Sequence, residues 1–313
     1  GERFMSKYAP NAMELASRDV VSRAIMEEVR QGRGVGKDGQ SVNIDLTHLD
    51  PQIILTRLPE LRELAIAFQG QDMLKEPIHI SATAHYSMGG IPVNINCQVR
   101  KNPRELVEGF YAAGECSCVS VHGANRLGAN SVLEALLFGR HAGENMVKAI
   151  DEGIELRKAS PSDADRMLAE MHKIKTSNGT ETVPGLRAEL QNGMTADAGV
   201  FRSKESLERQ IALIDDLLKR YNNIRIDDKS DTFNTDLQEA IELGHMLEFS
   251  KFIAVGALNR EESRGGHYRE DFPKRDDERF LKHTYAYMDK DFNITLEWGD
   301  VVLGKFEPKE RTY

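Results

Sequence analysis

The chain has 313 residues, 40% of them apolar, and a net charge of -9 at pH 7. That length allows two or three domains with real cores, and no apolar run approaches the length of a membrane-spanning helix. The acidic balance argues against a nucleic-acid partner, which needs clustered positive charge, and still leaves room for a local cationic pocket. The chain begins on GERFM, where a processed start would hide any targeting signal. Cys97, Cys116 and Cys118 lack the spacing of a disulfide framework or an iron–sulfur ligand set. A mostly reduced protein with no metal of its own is expected.

In chain order, Met13, Ala16, Val20 and Ala24 recur at helical spacing and predict a helix over 12–30, stopped by Gly32 and Gly34. VGKDGQ at 35–40 is a turn. A second helix is expected over 52–68, limited or kinked by Pro59. From 79 the chain turns short, apolar and Gly-rich. GFYAAG at 109–114 reads as a buried strand ending in a turn. If 111–118 is a strand, Cys116 and Cys118 share a buried face. A helix follows over 130–150, with Asn130 or Ser131 as its N-cap. Longer, more charged helices are expected over 160–175, 203–222 and 234–258, packing together. TSNGTETVPG at 176–185 reads as a loop. Two strands, 283–290 and 292–299, close the chain.

Several residues invite a chemical reading, each beside a plainer one. Arg18, in ASRD, suits a solvated helical arginine paired with Glu14 or Asp19. His85, at the end of a probable strand, suits a hydrogen-bonded core histidine, although Gly89 and Gly90 would let backbone approach a flat ligand. Arg126 lies just before an apolar helix, a poor place for a merely solvated charge. Its planar fork can grip a carboxylate with two bonds. Glu115 closes the expected strand, where an unpaired carboxylate is costly; a cap, an ion pair or ligand hydroxyls could each satisfy it. Ser131 and Val132 open a helix whose N–H groups can meet an electron-rich atom. Arg264, His267 and Arg269 belong to a charged segment and read as structural or interface residues.

Four segments together carry a resemblance: ASRDVVSR at 16–23, HYSMGG at 85–90, YAAGECSCVSVHGANRLGANSVLE at 111–134, and ALNREESRGGHYREDFPKRDD at 257–277 followed by FLKHT. The chain resembles the flavoprotein subunit of succinate dehydrogenase and fumarate reductase over nearly its whole length. The resemblance implies a multidomain α+β fragment, without the N-terminal FAD-binding half and its GxGxxG fingerprint. Residues 1–78 would be a partial capping domain, and 79–154 the return segment of an α/β FAD-binding domain. Residues 155–260 would form a three-helix domain and 261–313 a small C-terminal domain with β-strands, ending on the family's terminal RTY.

The resemblance also implies roles. Arg18 would exchange a proton with a substrate methylene carbon; a guanidinium is protonated at neutral pH and suits delivery to fumarate. Removing the proton again in succinate oxidation needs a relay, to which Glu2 and Arg3 could belong. His85 and Arg126 would bind the carboxylates of succinate or fumarate. Glu115, Ser131 and Val132 would contact FAD, and His122 would orient its loop or touch the flavin. The implied partners are an iron–sulfur subunit and a membrane anchor subunit, holding the protein on the cytoplasmic membrane, cytoplasmic side. FAD would belong to the longer parent and would not be retained by this fragment. Three other readings stay open: a quinol:fumarate reductase working mainly in the reducing direction, an L-aspartate oxidase, and an inactive folding or assembly fragment. The RDD and LKHT segments favour the respiratory enzymes over L-aspartate oxidase.

Overall fold

The computed structural model describes residues 2–155, 158, 160–305 and 307–309. The RTY terminus lies outside the described residues. The chain divides into two compact units, Gly1–Tyr86 with Lys309–Tyr313, and Ser87–Pro308.

In the first unit, α1 (Arg18–Arg30) begins later than the periodicity predicts. Met13–Leu15 form a separate 3-10 turn entered through Met13 at φ +50°. Ala16 and Ser17 then run extended, and the Ser17 hydroxyl donates to the Asp19 carboxylate at 2.6 Å. Ser17 is the N-cap residue without a side-chain cap bond, and the extended backbone of Ala16 and Ser17 prevents the helix from starting at residue 12. Met5, Ala9, Val20 and Ala24 form a small core beneath α1. The VGKDGQ turn is closed by pairing of Val35 with Ser41.

Strand β1 (Val42–Ile44) leads to α2 (Pro51–Arg57) and α3 (Pro59–Gln69). Asp50 caps α2 by accepting from Gln52 N–H at 2.9 Å. Pro59 splits the expected single helix: proline fits the first turn of α3, while its preceding residue, Leu58, leaves the helical region at ψ +35°. Gly70, left-handed at φ +70°, terminates α3. Strand β2 (Ile78–Ile80) pairs antiparallel with β1. Ile54, Ala65, Met73 and Ile78 form the second small core.

The second unit opens with a set of short strands. These are β3 (Ile91–Pro92), β4 (Gln98–Arg100), β5 (Leu106–Tyr111) and β6 (Ser117–Cys118). β3 runs parallel to β6, and β4 pairs antiparallel with β5. The buried strand expected over 109–114 is instead the end of β5, and Leu106, Val107 and Phe110 are exposed. Gly114, at φ +83°, turns the chain before β6. Residues 111–118 are therefore not one strand. Cys116 is exposed, Cys118 is partly buried, and burial raises the Cys118 thiol pKa.

Helix α4 (Asn130–Asp151) follows. Its N-cap is Ala129, left-handed at φ +66° and without a side-chain cap, rather than Asn130 or Ser131. Leu133, Leu136, Leu137, Val147 and Ile150 of this helix are exposed.

The helical part contains α5 (Pro161–Lys175), β7 (Glu181–Thr182), α6 (Val183–Asp197), α7 (Lys204–Tyr221), β8 (Ile224–Arg225) and α8 (Thr235–Asn259). The three expected helices are present, and α6 adds a fourth. It starts inside the segment read as a loop: Thr182 accepts from Gly185 N–H, and Pro184 sits in the first turn, where its missing N–H is harmless. Val183, Leu186 and Leu190 of α6 pack with Ile214 and Leu217 of α7 and with Ala240, Leu243 and Leu247 of α8. Gly193 permits the close α6–α7 approach, since a Cβ there would lie 2.4 Å from the Gln210 side chain. Ser203 caps α7 through a reciprocal pair with Ser206. A short helix, α9 (Asp277–Phe280), precedes the antiparallel pair β9 (Lys282–Met288) and β10 (Ile294–Asp300).

Candidate active site

In the first unit, Arg18 is the first residue of α1 and is exposed. The partners expected for a merely structural Arg18 are engaged elsewhere. Glu14 accepts from Arg3 at 3.0 and 2.5 Å, and Asp19 pairs with Arg23 at 3.0 Å. Arg3 is thereby committed to Glu14, and Glu2 pairs with Lys7 at 3.3 Å. His85 does not end a strand. β2 stops at Ile80, and His85 is an exposed residue of the irregular segment 81–90. It is therefore not a buried core histidine.

The second unit brings together four elements around the 119–129 loop. Glu115 is exposed on the turn after β5, and its carboxylate accepts the Ser87 N–H at 3.1 Å. It does not close a buried strand, so its charge carries no burial penalty of that kind. Gly90 lies flush against the same turn: at φ +106°, its Cβ would come within 2.4 Å of the Cys116 carbonyl. Only glycine fits there, and Ile91 N–H then reaches that carbonyl at 2.9 Å.

Arg126 is 6% exposed, which sets it apart from the solvated arginines of this chain. Its backbone N–H donates to Met88 Sδ at 3.0 Å, and its guanidinium reaches the Leu127 carbonyl at 3.3 Å. His122 fixes the loop from the other side, with Nε2 2.6 Å from Oε2 of the buried Glu134 on α4. Ser131 is half-buried and Val132 exposed in the first turn of α4. N–H groups in a first turn have no acceptor within the helix. Together with the Glu115 carboxylate, they are the polar groups here that could hold a cofactor with carbonyl and hydroxyl groups. Among the described residues, no group of three or more His, Cys, Asp or Glu is placed to hold a metal ion.

The charged ESRGGHYRED segment forms the opposite wall of this loop. Arg269, almost fully buried, binds Asp271 at 2.8 and 2.7 Å and donates to the Ala257 and Leu258 carbonyls at 2.9 and 2.8 Å. It thus satisfies carbonyls at the end of α8 that have no helical donor. Arg264 binds the buried Glu262 and Asp277. His267 lies between Arg202 Nη1, 3.1 Å from Nδ1, and the Arg260 carbonyl, 2.9 Å from Nε2. A guanidinium only donates and a carbonyl only accepts, so His267 is neutral with its proton on Nε2. Burial, reinforced by Arg202, Arg260 and Arg269, lowers its pKa to about 4.

The sign of the linkage follows. The unfolded chain takes up this proton near pH 6.5 and the folded chain only near 4. Stability from this group is complete above 6.5 and declines as pH falls toward 4. Urea unfolding at pH 7 and pH 4.5 is expected to show His267→Gln losing about 1–3 kcal/mol less than the unsubstituted chain on acidification. Equal losses would show that His267 is not held neutral.

Comparison with known proteins places this chain among the flavoproteins. A family model described as "FAD binding domain" matches residues 1–132, and one described as "Fumarate reductase flavoprotein C-term" matches residues 187–313. The succinate dehydrogenase flavoprotein subunit of Rickettsia conorii is 43% identical over 307 residues, covering 97% of this chain and 52% of that protein. The 8-methylmenaquinol:fumarate reductase flavoprotein subunit of Wolinella succinogenes is 41% identical over 326 residues, covering 100% of this chain and 51% of that protein. A solved quinol fumarate reductase chain of E. coli superposes with a TM-score of 0.91 at 38% identity, covering 99% of this chain and 55% of that one. The chain belongs to the succinate dehydrogenase/fumarate reductase flavoprotein family. It spans about half the length of the curated relatives it matches.

Proposed function

We propose that this chain is the C-terminal portion of a flavoprotein subunit that interconverts succinate and fumarate, with succinate dehydrogenase as the first reading. The observation that carries it is Arg126, a buried arginine beside the Glu115 turn and the start of α4, in a chain of this family. The domain reading is 1–78, 79–154, 155–260 and 261–313. The exposed apolar residues of β5 and α4 support a remaining part of the flavin domain packing on that face.

Bound FAD supplies the hydride acceptor and donor. This chain contributes the following residues. His85 and Arg126 bind substrate carboxylates, and the Arg126 guanidinium offsets negative charge that develops during hydride transfer. Arg18 delivers a proton to a methylene carbon in fumarate reduction, and in succinate oxidation it accepts one only after a relay has taken its own. Glu115 would hold hydroxyl groups of the cofactor, and the first-turn N–H groups of Ser131 and Val132 would hold an electron-rich ring oxygen. The whole protein docks an iron–sulfur subunit and, through it and an anchor subunit, lies peripheral to the membrane on its cytoplasmic side. Among the described residues no helix is long and apolar enough to cross a membrane.

The test is substrate choice by the FAD-loaded protein. Succinate is expected to support dye reduction, with L-aspartate at equal concentration giving less than about one-hundredth of that rate, the scale of discrimination available to a site with charged groups that match only one substrate. A preference for L-aspartate would favour an L-aspartate oxidase. The 313-residue chain by itself is expected to bind less than one FAD per chain, because much of its α4 and β5 surface is unpartnered. Visible absorbance during FAD titration checks this, and one tightly held FAD per chain would contradict it.

A further inference from the structure

We infer that the Arg264–His267 turn positions Arg126, with Gly265 as its critical residue. This rests on the carboxylate-binding reading of Arg126. The turn is closed by reciprocal bonds, Arg264 N–H to the His267 carbonyl at 2.8 Å and His267 N–H to the Arg264 carbonyl at 3.0 Å. Each flank is anchored. Arg264 is held by Glu262 and Asp277, and His267 by Arg202 and the Arg260 carbonyl. Its tip presses on the loop two residues before Arg126: Gly266 N–H donates to the Ala124 carbonyl at 2.8 Å.

The contact tolerates no side chain at Gly265. A Cβ there would lie 2.2 Å from the Ala124 carbonyl oxygen and 2.6 Å from its carbon, and φ is +58°. Both atoms are backbone, so relief must come from moving the 124–126 segment or the turn. At Gly266 the same addition meets only ordinary contacts, 3.5 Å to Met88 Cε and 3.6 Å to the Ala124 oxygen. Met88 joins the two sides, since its sulfur accepts the Arg126 N–H. The Arg126 backbone is therefore held between Met88 and a turn anchored in the helical part, while His122 and Glu134 hold the loop's other end. A displacement of about 1 Å in such a group is enough to cost roughly 100-fold in a positioned interaction.

The test is a double-mutant cycle on the FAD-loaded full-length protein, read by calorimetric binding of malonate and by thermal unfolding. Gly265→Ala is expected to weaken malonate roughly 10- to 100-fold when Arg126 is present. In an Arg126→Ala background the same change is expected to leave malonate affinity within about twofold, the result for a residue acting only through Arg126. Gly266→Ala is expected to leave affinity within about twofold in either background. If Gly265→Ala does not fold, Met88→Ala enters the same cycle with the same expected coupling. Equal weakening in both backgrounds, no weakening in either, or an effect of Gly266→Ala as large as that of Gly265→Ala would overturn the assignment. If Arg126→Ala alone leaves malonate affinity unchanged, the carboxylate-binding reading of Arg126 fails instead.

Discussion

Arg18→Lys in the FAD-loaded protein is expected to lower turnover roughly 10²- to 10⁴-fold, the range of a positioned proton donor, while malonate affinity changes much less. Lysine keeps the charge and loses the guanidinium's reach and planar fork. Charge-dependent binding therefore largely survives, and proton delivery, which depends on geometry, does not. The placement of Arg18 supports this separation. It opens α1 and is exposed, and the neighbouring carboxylates Glu14 and Asp19 are paired with Arg3 and Arg23. Rapid-mix measurement of fumarate turnover beside malonate calorimetry checks it. Unchanged turnover, or a loss matched by an equal loss of malonate affinity, would remove Arg18 from the proton path and make it a binding residue.

Arg126→Ala is expected to have the opposite emphasis. It removes a charge-assisted grip on a carboxylate, and such losses cost about 2–5 kcal/mol in buried pairs. Malonate affinity should fall correspondingly, with turnover at saturating fumarate falling as well. The near-complete burial of Arg126 adds a second consequence. Alanine leaves a space that is filled only by repacking the loop held by His122 and Met88. Arg126→Lys separates the two effects, since it keeps charge and much of the volume but not the bidentate fork. Its malonate affinity is expected between those of the unsubstituted protein and Arg126→Ala. Identical affinities for all three would show that Arg126 touches no substrate carboxylate.

Local signals in the sequence were enough for elements whose stability is local. Ser203 and Asn234 mark the starts of α7 and α8, and β9 and β10 appear as two β-rich runs. Helix α6 escaped because Thr182, Pro184 and Gly185 have the composition of a loop. The missed signal was Thr182 as a cap with Val183, Leu186 and Leu190 at core spacing behind it. The late start of α1 reflects the extended backbone of Ala16 and Ser17, which periodicity does not register. GFYAAG at 109–114 reads as buried because it is small and apolar, yet Phe110 is exposed, and exposure is decided by what packs on the strand, which is not a local property.

The candidate site divides the same way. The position of Arg126 just before an apolar helix signals something other than a solvated charge, and its burial agrees. The acceptor of its N–H, Met88 Sδ, and the Ala124–Gly266 bond join segments far apart in sequence, and no spacing rule reports them. The sequence places His85 and Glu115 at the ends of strands, whereas both are exposed residues of irregular segments. That exposure suits groups that meet a ligand better than groups satisfied within the fold.

Anaerobic single turnover of the flavin tests the central claim most directly. Succinate added to the oxidised, FAD-loaded protein is expected to bleach the flavin absorbance with one fumarate formed per flavin, and fumarate added to the reduced protein is expected to restore it. A flavin that succinate does not reduce, and that fumarate does not reoxidise, would contradict the assignment of succinate–fumarate interconversion to this protein.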